Sequence, residues 1–191
     1  MAAMSSLPME KDLFEKVVPT NQSFRDGKYT GKFFFRFYHY GKWKTVVVDD
    51  RLPALPYANG RKFYLFLGQS DSNVNEYWPA LLEKAYAKHY GSYGALAYGD
   101  ARESLPDFSG GIVEHFILSD APHDLFDIMK KAKQNGAFIN CSFNKERIKE
   151  GLISGHAYTI TDVIEVELVG RNKYELVRIR NPHGGNEWTG R

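Results

Sequence analysis

Hydrophobic and polar positions alternate most regularly between Gly31 and Asp50, where Phe33, Phe35 and Phe37 and then Trp43, Val46 and Val48 are spaced by basic or polar residues. A period of two predicts two strands, and Gly41 between them predicts the turn of a β-hairpin. The segment Asp49-Asp50-Arg51-Leu52-Pro53 ends the second strand, because Pro53 has no N–H for a central ladder. Between Asn75 and Tyr90 the period changes: Trp78, Leu81, Leu82, Ala85 and Tyr86 recur at helical spacing, with Glu83 and Lys84 expected to face outward. A short helix is expected over Met9 to Val18, before Pro19, and another over Asp124 to Asn135, closed by Gly136. Gly91-Ser92-Tyr93-Gly94 breaks the long helix, and Leu105 to Gly111, with Pro106, Gly110 and Gly111, is expected to be a loop.

Beyond Gly136 the pattern becomes strand-like. Ala137 to Phe143 forms an apolar strand, and Ala157 to Val169 and Tyr174 to Ile179, rich in Val, Ile, Tyr and Thr, form a second hairpin turning at Gly170-Arg171-Asn172-Lys173. The change divides the chain into two parts, 1–99 and 100–191, with the boundary near Gly99.

Composition narrows the function classes. In 191 residues, 43% hydrophobic and 15% aromatic content is enough for a real core. A net charge of +2 gives no electrostatic reason to expect nucleic acid as a partner. The one cysteine, Cys141, rules out an internal disulfide framework and any multi-thiolate metal site, and the cytosol is the expected compartment. No run approaches the roughly 20 apolar residues of a membrane span, and Met1 to Leu7 lacks the basic start of a secretory signal.

The second hairpin carries the candidate chemistry. His156 begins one strand and Asn181 ends the other, so folding about the turn brings both to one end. Their sequence midpoint lies slightly before the turn, so they are not opposite in an unbroken ladder; a bulge around Thr161 and Asp162 absorbs the difference. An imidazole held by a neutral amide suits a thiolate–imidazolium pair, in which the ring takes the thiol proton and the amide carbonyl fixes the tautomer. The same residues have plain structural readings: a histidine at a strand edge is ordinarily a surface or capped residue, and Asn-Pro is ordinarily a turn.

Longer strings discriminate. Gly151-Leu152-Ile153-Ser154-Gly155-His156-Ala157-Tyr158-Thr159-Ile160, Val177-Arg178-Ile179-Arg180-Asn181-Pro182 and Glu187-Trp188-Thr189-Gly190 resemble the histidine and asparagine segments of the calpain family of cysteine proteases. Val47-Val48-Asp49-Asp50-Arg51-Leu52-Pro53, the stretch Tyr77 to Lys88 and Asp107-Phe108-Ser109-Gly110-Gly111 are similar to calpain motifs in the same order. The resemblance covers nearly the whole chain. It implies an α+β fold, an incomplete papain-like two-lobed core: the later part of the cysteine lobe over 1–99, helix-containing, then the early, β-rich part of the histidine–asparagine lobe over 100–191. It also implies calcium-dependent, limited cleavage of extended cytosolic protein substrates, with His156 as general base and acid and Asn181 as its orienter. Regulatory domains or a subunit outside this chain are implied as well.

Residue by residue, Gly99 and Gly155 match glycines that line the family's substrate cleft, and Glu76 and Glu187 match acidic calcium ligands, one in each lobe. The family's cysteine stands at a helix N-terminus, and Ala2-Ala3-Met4-Ser5-Ser6-Leu7 is similar to the part just after it. The nucleophile is therefore expected a few residues before Met1, and the isolated chain is expected to be inactive. Cys141, in an apolar strand of the same lobe as the histidine, is expected to be a small hydrophobe rather than a substitute. His183 replaces the tryptophan usual after Asn-Pro, a polar ring expected to shield the pair less well. Asp49-Asp50 is expected to be a turn or salt-bridge feature, and His39, His89, His115 and His123 have no metal-ligand spacing. The alternative is a non-catalytic, calpain-like binding module; a β-rich scaffold without protease chemistry requires His156 and Asn181 to lie apart.

Overall fold

The elements follow from these patterns. In a computed structural model, which describes residues 1–25, 27, 29–56, 62–64, 76–143, 151–167 and 172–184, the helices are α1 (Ala2–Ser6), α2 (Lys11–Val17), α3 (Trp78–Tyr90), α4 (Ala101–Ser109) and α5 (Leu125–Gln134). The strands are β1 (Lys32–His39), β2 (Lys42–Asp49), β3 (Ala54–Pro56), β4 (Lys62–Tyr64), β5 (Ile139–Phe143), β6 (His156–Glu167) and β7 (Lys173–Arg180). Helices and antiparallel sheets mix as a partial papain-like α+β domain requires. They form two compact units, Lys11–Gly111 and the combination of Met1–Glu10 with Ile112–Arg191.

In the unit Lys11–Gly111, β1 and β2 pair antiparallel from Lys32↔Asp49 to His39↔Lys42. Phe33, Phe35 and Phe37 are buried while Lys32, Phe34 and Arg36 are exposed, the inside–outside alternation that makes this a half-buried strand. Tyr40 and Gly41 both take positive φ, 48° and 75°, the backbone of a two-residue type I′ turn. Against the buried face pack α2, α3 and α4. Helix α3 is more deeply covered than its pattern predicts: Glu83 is buried with its neighbours rather than facing outward, because every residue from Ala80 to Ala87 except Lys84 is buried. Lys84 runs instead to the end of β2, donating to the carbonyls of Asp49 at 3.1 Å and Arg51 at 2.5 Å and to the Asp49 carboxylate.

The expected loop at Leu105–Gly111 is largely helix α4. Asp100 caps it, accepting from the Arg102 amide at 2.8 Å, and Phe108 is wholly buried, so tertiary burial outweighs the ladder bond that Pro106 forfeits. Gly110 ends the helix at φ 72°, its amide donating to Pro106 at 2.7 Å; a Cβ there would stand 3.3 Å from the Tyr38 ring. Asp107, also buried, accepts from Tyr86 at 2.7 Å and Tyr90 at 2.5 Å.

In the other unit β5, β6 and β7 form an antiparallel sheet with β6 in the centre. Helix α1, which periodicity did not reveal, packs on β6: Thr159 Oγ1 donates to the Ala2 carbonyl at 2.9 Å and meets the Ser5 hydroxyl. Helix α5 also packs on β6. The pair β3 and β4 was not expected either, and the Gly170-Arg171 part of the second turn lies outside the described residues.

Candidate functional site

Three strands position His156. Phe143 faces it across the β5–β6 ladder, and Gly155 before it takes φ 69°, a left-handed turn that lets its amide donate to Phe143 O at 2.7 Å while the chain swings into β6. Asn181 lies just past the end of β7, where Thr159 pairs with Arg180. The expected irregularity is present: the β6–β7 register shifts between Ile160 and Asp162.

The result is contact. His156 Nε2 and Asn181 Oδ1 are 2.8 Å apart, with Asn181 almost wholly buried at 2% exposure. The direction of this hydrogen bond follows from a second one, since Asn181 Oδ1 also accepts the backbone N–H of His183 at 3.0 Å. A backbone amide can only donate, so that side of the Asn181 amide is its oxygen, and His156 Nε2 must carry the proton. Nδ1 of the neutral ring is then the basic nitrogen. The chemistry available is proton acceptance at Nδ1, with the resulting cation stabilised by the Asn181 carbonyl.

Two rings frame His156. Tyr158 stands edge-on at a 4.8 Å centroid distance, and its hydroxyl accepts the Ile153 amide at 2.9 Å. The His183 ring lies 4.5 Å away at 61°. Burial, and secondarily the adjacent His156, hold the His183 pKa below the ordinary histidine value. Tyr158 was not anticipated, although its place two residues along β6 puts it on the face of His156 and was a usable signal.

Cys141 pairs with Tyr158 in the ladder and is half-buried, and burial raises its thiol pKa, the opposite of what activates a nucleophile. Gly99 and Gly155 each have open space where a Cβ would stand. Glu76 accepts from the Trp78 indole at 2.6 Å. Glu187, with Trp188, lies outside the described residues. Among the described residues no three His, Cys, Asp or Glu side chains gather as a metal site, so these do not by themselves fit calcium.

The profile described as "Calpain family cysteine protease" matches residues 1–191. This chain belongs to the calpain family. Calpain-A of Drosophila melanogaster is 42% identical over 200 residues, covering 100% of this chain and 23% of the relative. Calpain-9 of Mus musculus is 42% identical over 197 residues, and the Calpain-2 catalytic subunit of Gallus gallus 43% over 198; each alignment covers 100% of this chain and 27% of the relative. The chain thus spans about a quarter of the length of these relatives. Among the described residues of this calpain-family chain, no helix is long and apolar enough to cross a membrane.

Proposed function

We propose that this chain carries the histidine–asparagine half of a calpain-type cysteine endopeptidase site, which cleaves extended segments of cytosolic proteins. The observation that supports it is the 2.8 Å bond from His156 Nε2 to Asn181 Oδ1. In this reading Nδ1 accepts the proton of a cysteine thiol, the thiolate attacks the peptide carbonyl, and the imidazolium returns the proton to the leaving amine as the acyl-thioester forms; water then releases the acyl group with His156 again as base. In this reading residues 1–99 belong to the cysteine lobe and residues 100–191 to the histidine–asparagine lobe. Gly99 and Gly155 present unobstructed backbone to an extended peptide.

In this reading Cys141 is a packing residue, because burial raises its thiol pKa and disfavours the thiolate, and the thiol is that of a different cysteine. Calcium dependence follows the family, with Glu76 and Glu187 each contributing one carboxylate and the remaining ligands drawn from elsewhere. Regulatory domains or a subunit belong to the same reading. The absence of a second thiol favours, as a second reading for the isolated chain, a non-catalytic binding module.

The test uses the purified 191-residue chain, a fluorogenic extended peptide and an active-site-directed epoxide. Neither hydrolysis nor labelling is expected. Hydrolysis lost in both Cys141→Ser and His156→Ala would overturn the assignment of the nucleophile. In a longer natural chain containing these residues, His156→Ala should lower kcat by at least about 10²-fold; full activity there would leave the binding-module reading.

A further inference from the structure

The catalytic reading needs Asn181 on the same face of the sheet as His156, and the ladder does not give this by default. In the distal part of the β6–β7 hairpin, Glu167 faces Lys173 and each residue follows in step to Asp162 facing Arg178. Continued without interruption, that register would place Asn181 opposite Thr159. Thr159 turns to the other face, where its hydroxyl meets Ala2 and Ser5 of α1. Because side chains alternate along a strand, a slip of one residue moves the whole set across the sheet. In the structure Ile160 faces Ile179 and Thr159 faces Arg180, so one residue, Thr161, is extra on β6. That insertion returns Asn181 to the face of His156.

What holds the extra residue is a reciprocal pair. Thr161 Oγ1 donates to the Arg178 carbonyl at 3.2 Å and accepts from Arg178 Nε at 2.8 Å, so one side chain engages both the backbone and the guanidinium of the residue across the bulge. Next to it, Asp162 Oδ1 accepts the Val163 amide at 2.9 Å. Thr161 is buried at 7% exposure, whereas Arg178 lies at the surface.

We propose that Thr161 and Arg178 form a register lock that places Asn181 against His156, and that both are positioning residues for the histidine–asparagine pair. The proposal rests on the catalytic reading for its purpose but not for its test.

The test is NMR of the purified 191-residue chain, following the imidazole Nε2–H of His156 and the cross-strand contacts of Arg180. The wild type and Thr161→Ser, which keeps the hydroxyl, should show a slowly exchanging Nε2–H and contacts between Arg180 and Thr159. Thr161→Val and Arg178→Met should lose the Nε2–H signal, and Arg180 should move opposite Ile160. Arg178→Met is at an exposed position, so it decides the matter if the buried Thr161→Val does not fold. Arg180 still facing Thr159 and an unchanged Nε2–H in Arg178→Met would overturn the lock. A wild type that lacks the Nε2–H signal while Arg180 faces Thr159 would instead overturn the catalytic pair, leaving the lock to be judged from the movement of Arg180.

Discussion

At single positions, local backbone and solvation make distinct demands. Tyr40 sits at φ 48° in a turn with a largely exposed ring, although non-glycine residues meet a steric penalty there and asparagine tolerates it better. Tyr40→Asn should stabilise the chain by about 0.5–1 kcal/mol, read as a higher urea midpoint with unchanged slope; an unchanged or lower midpoint would show that the contact with the His39 ring outweighs the strain. Cys141 gives the second residue-scale expectation. With its pKa raised by burial, it should react with a disulfide reagent at pH 8 more slowly than an unhindered thiol, and His156→Ala should leave that rate unaltered. A rate that falls with His156→Ala would couple the two groups and contradict the assignment. The Tyr40 backbone is not legible in composition, because it depends on what the fold places nearby, whereas the apolar neighbours of Cys141 along its strand already point to its burial.

At the scale of elements, α3 and α4 are joined through one buried carboxylate. Burial, and then the bond to Asp107, raise the Tyr86 pKa far above its ordinary value and push that of Tyr90 up to about 12. Asp107→Ala would strand two hydroxyl donors, and a loss of about 2–4 kcal/mol is expected by chemical denaturation. A loss no greater than a surface substitution gives would show that water replaces the carboxylate. This contact also explains an error of sequence reading. Pro106, Gly110 and Gly111 predict a loop locally, but the burial of Phe108, with the bonds from Tyr86 and Tyr90 offsetting the desolvation of Asp107, holds a helix through Pro106. The β1–β2 hairpin was legible because Phe33, Phe35 and Phe37 announce their inner face at a period of two. Helix α1 was not, because five residues are too few to show a period.

For the whole molecule, acid stability and metal binding are the properties to measure. His89 has its pKa lowered first by burial and then by the neighbouring His39, and its Nε2 has no hydrogen-bond partner among the described residues. His183 is lowered as well. A folded-state pKa below the unfolded value of about 6.5 means that the unfolded chain takes up protons first as pH falls. The contribution is therefore complete above about pH 6.5 and is lost below it, as pH falls towards the folded-state pKa. The thermal midpoint should drop between pH 7 and pH 5, and less steeply in His89→Phe; an equal drop in that variant would assign the effect elsewhere. Calorimetry of the 191-residue chain should show no tight calcium binding, since Glu76 is engaged by Trp78 and the described residues assemble no carboxylate cluster. Submicromolar binding would require a calcium site built from residues outside those described.

The sequence by itself determined the long hairpin, helix α3, the calpain motifs and the two residues that meet, because periodicity and ordered motifs are properties of neighbours along the chain. The tertiary structure decided which way those residues face. Strand alternation is local, but register is a contest between pairings of distant segments, and one extra residue at Thr161, held by Arg178 from the other strand, determines on which side of the sheet Asn181 emerges.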